Sequence, residues 1–364
     1  MKHAVIVDDE RPAAEGLALL LEYSGKFKID GVFTDPSEAI FFLKTRPADI
    51  AFIDIEMPEM DGFELAGRIK DLSAGVAVIF VSGQSEHAVE AFRLGGLNYV
   101  IKPVQPECLQ SALEKTTQVT LSERTGDSVV KAACFGKFAV TVNGVELNFG
   151  YAKAEELFAF LVHSGGKSIE RICAVHSVFS DFEGARGRIL LGATLYYLQR
   201  TFADKGAHLK IEYGSGSFRI ATKTECDAVN FINRIGALKP LSKSTIKKYE
   251  KVLALYTNDY FERNDYGWAL KKRMDLKEKY TDLLFEMFRF YIEEGNTVKG
   301  IDILMAGLRK DTSNKILNYE LIKELKKSSE LIALLKDYDS YRKHLEAEMG
   351  VVEPDSGCNN LARN

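Results

Sequence analysis

The chain has 364 residues, of which 46% are hydrophobic and 27% are charged, with a formal net charge of −4. This composition is ordinary for a globular chain, and the length allows two or three domains. The apolar runs are too short to span a bilayer, and acidic residues follow the start too soon for a signal peptide. We therefore expect a cytoplasmic protein without membrane contact.

The five cysteines are scattered along the chain and include no CxxC pair. They are Cys108, Cys134, Cys173, Cys226 and Cys358. An odd and scattered set argues against a disulfide scaffold and against a zinc ribbon, and it fits a reducing compartment.

The charge is unevenly distributed. Residues 1–121 carry 11 Lys and Arg against 19 Asp and Glu, a net charge of −8, whereas residues 129–225 carry 12 against 9, a net charge of +3. Residues 226–364 are close to balanced, with 24 against 22. An acidic first part joined to a mildly basic middle part indicates different roles, and a net charge of +3 permits nucleic-acid binding without requiring it.

Five short apolar runs in the first 120 residues predict strands, and helical patterns lie between them. The runs are Ala4 to Val7, Ile29 to Phe33, Ile50 to Ile53, Ala77 to Val81 and Tyr99 to Ile101. Near-continuous apolar runs are typical of parallel strands covered on both faces. Asp35-Pro36 and Gln105-Pro106 have the residue types of a helix N-cap followed by proline. The alternation predicts an α/β domain with a doubly wound, five-stranded parallel sheet.

Residues 121–128 are polar and weakly patterned, and we interpret them as a linker. Beyond them Ala133 to Val142 alternates like a strand, and Val142-Asn143-Gly144-Val145 is a strong signal for a two-residue hairpin. Helices are then predicted at Ala152 to His163, Ile169 to Phe179 and Ala185 to Phe202, and the strands of a second hairpin at Leu209 to Tyr213 and Phe218 to Ala221. Short strands, three helices and a terminal hairpin indicate an α+β domain.

The pattern is helical throughout from Asp227 to Met349, in pieces that resemble antiparallel helix pairs. The breaks fall at Lys239-Pro240, Asn264-Asp265, Gly295-Asn296 and Asp311-Thr312-Ser313. We therefore predict domains at residues 1–120, 129–225 and 226–352, with a linker at 121–128 and a tail at 353–364.

Polar side chains follow four strands of the first domain. Asp8 and Asp9 follow the first strand, Asp54 ends the third, Ser82 follows the fourth and Lys102 follows the fifth. The C-terminal ends of parallel strands form the edge where open α/β sheets bind ligands. Three converging carboxylates repel one another, and Mg²⁺, which prefers oxygen ligands, relieves that repulsion.

A lysine and a hydroxyl beside three carboxylates suit phosphoryl transfer onto Asp54. Each residue alone also has a purely structural interpretation, because an Asp after a strand is usually a helix cap or turn residue. The combination at four strand ends is what indicates a site.

These residues carry a family resemblance. The matching segments are Val7-Asp8-Asp9-Glu10, Phe52 to Gly62, Phe80-Val81-Ser82 and Tyr99-Val100-Ile101-Lys102-Pro103. Over residues 1–120 they resemble the receiver domain of two-component response regulators. The resemblance implies a phosphoacceptor, Asp54, that receives its phosphoryl group from a sensor histidine kinase.

The resemblance also implies a role for each neighbouring residue. Mg²⁺ is expected to bind Asp8, Asp9, Asp54 and the backbone carbonyl of Glu56. Ser82 and Lys102 are expected to contact the phosphoryl oxygens. Tyr99 matches the aromatic residue that turns inward when Ser82 shifts, and the surface around Ser85 to Leu94 and the fifth strand is then the switch face. We expect phosphorylated chains to form a homodimer through this face.

The middle domain resembles a winged-helix DNA-binding domain, and more narrowly the output domain of SARP-type transcriptional regulators. The segments that carry this resemblance are Phe135-Gly136-Lys137-Phe138, Val142-Asn143-Gly144, Lys153 to Leu157 and Leu195 to Phe202. The third helix is then expected to be the recognition helix in the major groove. The expected DNA contacts are Arg186, Arg188, Tyr196, Gln199 and Arg200 on that helix, with Lys210 and Arg219 on the wing.

Two features of this helix depart from expectation. Gln199 stands where the family usually has Arg, and Gly187 and Gly192 lie early in the predicted helix, where each costs up to ~1 kcal/mol. An alternative is therefore a winged helix that binds protein instead of DNA.

The helical region resembles the bacterial transcriptional activation domain of SARP-type proteins, which is built of tetratricopeptide-like helix pairs. Leu255 to Phe261 with Trp268 match its entry, and Tyr338 to Pro354 match its end. Such domains present a concave surface to partners, and RNA polymerase is one candidate.

Two hypotheses follow, neither of which makes the chain an enzyme beyond its own phosphotransfer. The first is a transcription factor, switched by phosphorylation, that binds a direct or inverted DNA repeat. The second is a protein-interaction module, switched in the same way, whose winged helix does not bind specific DNA.

Overall fold

The computed structural model describes residues 1–73, 75–83, 98–105, 108, 109, 112, 128–182, 184–325 and 327. The chain divides into two compact units. The first comprises Met1–Asn230 and Phe261–Leu270, and the second comprises Phe231–Tyr260 and Lys271–Asn364. None of the described helices is long and apolar enough to cross a membrane.

A five-stranded parallel sheet forms the N-terminal part of the first unit. Its strands are β1 (Lys2–Val7), β2 (Phe27–Phe33), β3 (Ile50–Asp54), β4 (Ala77–Ser82) and β5 (Tyr99–Ile101). They lie in the order β2-β1-β3-β4-β5. Every residue of β3 is buried, as expected for a central strand covered on both faces. The five predicted strands and their parallel α/β sheet are therefore confirmed.

Helices follow the first three strands. They are α1 (Arg11–Tyr23), α2 (Pro36–Thr45) and α3 (Gly62–Leu72). The apolar face of α1, with Ala14, Leu17 and Leu21, packs into the core of the sheet. The predicted start of α2 is confirmed, because Oδ1 of Asp35 accepts a hydrogen bond from the backbone N–H of Ser37 at 2.7 Å. The similar signal at 105–106 lies partly outside the described residues.

A four-stranded sheet follows in the same unit. Its strands are β6 (Val130–Ala133), β7 (Ala139–Val142), β8 (Val145–Glu146) and β12 (Thr224–Cys226), in the order β12-β6-β7-β8. Asn143 and Gly144 connect β7 and β8 with φ angles of 51° and 83°. Two positive φ angles are what a tight hairpin of this type requires, so the predicted hairpin is confirmed.

Three helices and a second hairpin complete this part of the unit. They are α4 (Ala152–His163), α5 (Arg171–Val178), α6 (Gly184–Asp204), β9 (Ile169–Glu170), β10 (Ile211–Gly214) and β11 (Ser217–Ile220). The three strands lie in the order β10-β11-β9. The predicted helices and hairpin are confirmed with one difference: α5 begins at Arg171 because Ile169 and Glu170 pair with β11.

The described part of the second unit is built mainly from helices. Helix α7 (Asp227–Gly236) leads into it, followed by α8 (Ile246–Leu253), α9 (Leu270–Glu293), α10 (Thr297–Leu308) and α11 (Lys315–Leu325). Aliphatic and aromatic residues form its core: Tyr256 is buried and its ring stacks on that of Tyr280 at 4.4 Å. The predicted helix beyond residue 327 and the tail at 353–364 lie outside the described residues.

Candidate functional site

The carboxylates predicted to form a site converge at one edge of the parallel sheet. Asp8 follows β1, and Asp54 ends the neighbouring strand β3. One oxygen each of Asp8, Asp9 and Asp54 lie within 4.8 Å of one another. Asp8 and Asp54 are buried, whereas Asp9 is exposed. The strand order brings these residues together, because β1 and β3 are neighbours and run in the same direction.

Lys102 lies between two of the carboxylates. Its Nζ atom is 2.7 Å from Oδ2 of Asp8 and 3.3 Å from Oδ1 of Asp54. Burial raises the pKa of Asp54 to about 6; the charge of Lys102 opposes this rise, and the charge of Asp8 adds to it. Burial alone would lower the pKa of Lys102, but its hydrogen bond to Asp8 and the charge of Asp54 outweigh burial and raise it. Lys102 is therefore a stable ammonium beside a carboxylate that is mostly ionised at neutral pH.

These residues fit a divalent cation. Three carboxylates stand against one ammonium, so negative charge remains to be compensated, and their oxygens are the ligands that Mg²⁺ prefers. Asp8, Asp9 and Asp54 would hold the ion, which would neutralise charge on the carboxylates and on phosphoryl oxygens. Glu56, whose carbonyl is the fourth expected ligand, lies two residues beyond Asp54 in the segment after β3.

Ser82 and Tyr99 lie on the neighbouring strands β4 and β5. Ser82 is buried, and its carbonyl accepts a hydrogen bond from the backbone N–H of Lys102 at 2.8 Å. Tyr99 is partly buried and pairs in register with Phe80, two residues before Ser82. The predicted switch segment Ser85 to Leu94 lies outside the described residues.

Helix α3 begins directly against the backbone of Asp54. Asp61 caps the helix by accepting a hydrogen bond from the backbone N–H of Glu64 at 2.8 Å, and the N–H of Gly62 donates to the carbonyl of Ile55 at 2.9 Å. A Cβ atom on Gly62 would lie 2.0 Å from the backbone oxygen of Asp54. Only glycine fits at this position.

We expect Gly62→Ala to lower the free energy of unfolding by about 3 kcal/mol, because the added methyl group meets backbone that cannot move without displacing Asp54. Calorimetric melting of the purified chain measures the effect. Gly16→Ala is the matched control, since a Cβ there meets nothing within 4 Å and alanine favours the helix. An unchanged melting profile for Gly62→Ala would contradict the close contact.

The residues predicted to contact DNA differ in exposure. Arg188 on α6 is exposed, as are Lys210, which precedes β10, and Arg219 on β11. Arg186 and Arg200 on α6 are partly buried. Arg219 is hydrogen-bonded to Glu212 through its Nε atom at 2.7 Å.

Tyr196 and Gln199 of α6 are buried, with 4% and 7% of their surfaces exposed. The ring of Tyr196 meets that of Phe80 edge-on at 5.3 Å. A Cβ on Gly67 of α3 would lie 2.9 Å from Oε1 of Gln199. In this arrangement Tyr196 and Gln199 contact the N-terminal domain and are closed to any other partner.

The close approach of α3 and α6 explains why Gly192 stands in α6 although glycine is unfavourable in a helix. A Cβ on Gly192 would lie 3.0 Å from the ring of Phe63, which itself packs on Phe80 at 4.6 Å. The lost helix propensity at Gly192 therefore allows contact between the two helices.

A charged cluster crosses the same boundary. Nη1 of Arg171, at the start of α5, lies 2.5 Å from Oδ2 of Asp61, and its Nη2 bonds Glu64. Burial raises the pKa of Glu64 although Arg171 and Arg68 oppose it. Arg171 was not predicted as a functional residue, because its partners are 110 and 107 residues away in the sequence and no local pattern marks them.

The positive charges of Lys70 and Arg200 oppose the contact between α3 and α6. Burial and, secondly, the positive charge of Arg200 lower the pKa of Lys70 on α3 to about 8. Two cations therefore lie near each other where α3 meets α6.

Comparison with known proteins decides the family. A model of the response regulator receiver domain matches residues 4–114. The transcriptional regulatory protein YpdB of Escherichia coli is 30% identical over 166 residues, which cover 43% of this chain and 67% of YpdB. This chain belongs to the response regulator family.

Other regulatory proteins are similar over shorter stretches. The positive alginate biosynthesis regulatory protein of Pseudomonas aeruginosa is 36% identical over 117 residues, which cover 32% of this chain and 47% of that protein. The crystal structure of the response regulatory domain of protein MrkE from Klebsiella pneumoniae is 34% identical and covers 32% of this chain and 94% of that one, with a TM-score of 0.28. The match to the receiver-domain model over residues 4–114 includes strands β2–β5 and most of β1.

Proposed function

We propose that this response regulator is a transcription factor whose DNA binding is switched by phosphorylation of Asp54. The observation that carries the proposal is the cluster of Asp8, Asp9, Asp54 and Lys102 at one sheet edge. A carboxylate oxygen of Asp54 attacks the phosphorus of a phosphohistidine on a sensor kinase, the P–N bond breaks, and an acyl phosphate forms. Mg²⁺ supplies charge neutralisation when it is bound.

The output is proposed to be a SARP-type winged helix at residues 129–225 followed by a tetratricopeptide-like domain at 226–352. Three helices, the terminal hairpin and the four-stranded sheet support the first assignment, and the successive helices α7–α11 support the second. Helix α6 is the proposed recognition helix, with Arg188 as its exposed cation. The helical domain is the proposed contact for RNA polymerase.

The described arrangement is proposed to be the inactive one. Tyr196 and Gln199, two of the proposed DNA contacts, are buried against the receiver. On the receiver side, Asp61 bonds Arg171 and Phe80, two residues before Ser82, packs on Tyr196. Gly62, next to Asp61, lies against the backbone of Asp54. A phosphoryl group adds about two negative charges at this edge, so its effect reaches α6 through directly packed residues.

Release of α6 would be followed by pairing of receivers through the surface around Ser85 to Leu94 and Tyr99. A dimer places two recognition helices on one DNA site, so a modest gain in dimerisation produces a large gain in avidity for DNA. The proposed target is therefore a direct or inverted repeat with half-sites spaced by about 10–10.5 bp or a multiple of it.

We expect Lys102→Ala to separate phosphorylation from output. Lys102 bonds Asp8 and Asp54 before phosphorylation, and it is the cation that can follow the phosphoryl group afterwards. The variant should still be labelled by a small phosphodonor with Mg²⁺, but its DNA affinity should change less than twofold on labelling. A normal response to phosphorylation would remove Lys102 from the switch.

Gel shifts over a salt series test the proposed DNA binding. We expect phosphorylated protein to prefer a repeat from its own promoter region over random DNA, with an affinity that falls steeply as salt rises. Arg188→Ala should weaken binding about tenfold, by loss of a base contact or a phosphate contact. Lys131→Ala is the matched control, because Lys131 is an exposed cation on β6 that pairs with Glu225 at 3.3 Å.

The second candidate function is a protein-interaction module switched by phosphorylation. Burial of Tyr196 and Gln199 favours it, since α6 already packs its side chains against another domain of the same chain. If neither form prefers a repeat over random DNA and neither shows a salt dependence, this candidate replaces the first.

A further inference from the structure

Two cysteines that are 92 residues apart in the chain meet in the core of the first unit. The Sγ atoms of Cys134 and Cys226 lie 3.5 Å apart. Cys134 directly follows β6, and Cys226 ends β12, which pairs with β6 in parallel. Val130, Ala132 and Cys134 alternate with exposed residues, so both thiols project from the buried face of the same sheet.

The environment of the pair does not suit a metal ion. Asp227 is the only third ligand near the two sulfurs among the described residues. Its Oδ1 atom accepts hydrogen bonds from the backbone N–H groups of Cys134 and Ala228, and its Oδ2 atom accepts those of Cys134 and Phe135. Both carboxylate oxygens are occupied, and two sulfurs alone leave the tetrahedral sites that thiolates form half filled.

The two thiols differ in access to solvent. Cys134 is fully buried, whereas 5% of the surface of Cys226 is exposed. The hydrogen bond with Cys134 lowers the pKa of Cys226 against the effect of burial. A thiol with a lowered pKa and some access is the one that reacts first with an oxidant.

We propose that Cys134 and Cys226 form a redox-modification site that closes to a disulfide under a peroxide oxidant. The thiolate of Cys226 attacks one oxygen of hydrogen peroxide, the O–O bond breaks, and a sulfenic acid and hydroxide form. The thiol of Cys134 then attacks this sulfur, loses its proton, and expels hydroxide. In sum, two thiols are oxidised, one peroxide is reduced to two waters, and the sulfurs move from 3.5 Å to about 2.05 Å.

The test uses the full chain with the other three cysteines replaced: Cys108→Ser, Cys173→Ser and Cys358→Ser. The protein is treated with hydrogen peroxide, denatured, alkylated with iodoacetamide and weighed by mass spectrometry. We expect both remaining thiols to become unreactive towards iodoacetamide together, which gives a chain with a mass 2 Da below that of the reduced chain before alkylation. Dithiothreitol should restore both thiols. Two alkylated thiols after treatment, or a sulfinic acid on Cys226, would overturn the proposal.

Adding Cys226→Ser to that variant tests the order of reaction. Because Cys134 is fully buried, it should then remain alkylatable after peroxide treatment; its oxidation at the rate of the pair would contradict Cys226 as the thiol that reacts first. Should the variants fail to fold, a peptide map of the oxidised natural chain decides, since it either contains the linked Cys134 and Cys226 peptides or lacks them.

Discussion

Asp54→Asn should abolish phosphorylation of the chain, with labelling by a phosphohistidine or a small phosphodonor reduced at least 100-fold. The amide has the size of the carboxylate, but it is a poor nucleophile and cannot form an acyl phosphate. Mass spectrometry of the treated protein should show one added phosphoryl group in the natural chain and none in the variant. In gel shifts, the variant should bind DNA like the unphosphorylated protein whether or not the donor is present.

The control for this prediction removes a different negative charge, from the segment that follows Asp54. Glu59 is exposed and lies five residues beyond Asp54, so Glu59→Gln should be labelled like the natural chain. Equal labelling of Asp54→Asn and the natural chain would show that another residue accepts the phosphoryl group.

Arg171→Ala should raise the DNA affinity of the unphosphorylated protein by up to about 30-fold. The side chain is 21% exposed and bonds Asp61 and Glu64 across the boundary between receiver and output. Removing one partner of a buried ion pair costs about 3–5 kcal/mol. Because this cluster is partly exposed, we take a cost of about 2 kcal/mol, which corresponds to roughly 30-fold in an equilibrium constant. This free energy is lost only from the closed arrangement, in which α6 packs against the receiver. The fraction of chains with α6 released therefore rises by this factor, as long as the closed form stays the more populated one.

The sign of this effect makes the measurement decisive. Loss of a cation normally weakens DNA binding, so a gain in affinity can come only from release of α6. Gly67→Val is a second route to the same result, because its side chain would meet Gln199 and the hydroxyl of Tyr213. Lys131→Ala, which breaks an ion pair within the output domain, should leave the affinity within twofold. A weaker complex for Arg171→Ala and Gly67→Val would contradict the inactive arrangement.

The sequence by itself determined the receiver sheet and the positions of its polar residues. Buried parallel strands consist of short runs of apolar residues, so the positions of β1 to β5 could be predicted from short windows of sequence. Their C-terminal ends then placed Asp8, Asp54 and Lys102 at one edge without knowledge of any long-range contact. The hairpin at Asn143-Gly144 was equally local, because few residue pairs adopt two positive φ angles.

Only the tertiary structure decided which surfaces of these elements meet. The sequence marked Gly192 only as unfavourable for a helix, whereas the structure places it against Phe63. Tyr196 was predicted to contact DNA, but its side chain is buried. Arg171 and the pair Cys134–Cys226 join positions about 100 residues apart. Such contacts depend on how whole helices and strands pack against one another. The sequence around each residue contains no pattern that identifies its distant partner. The chemistry of the phosphoacceptor edge could therefore be predicted from sequence, whereas the packing that connects this edge to α6 could not.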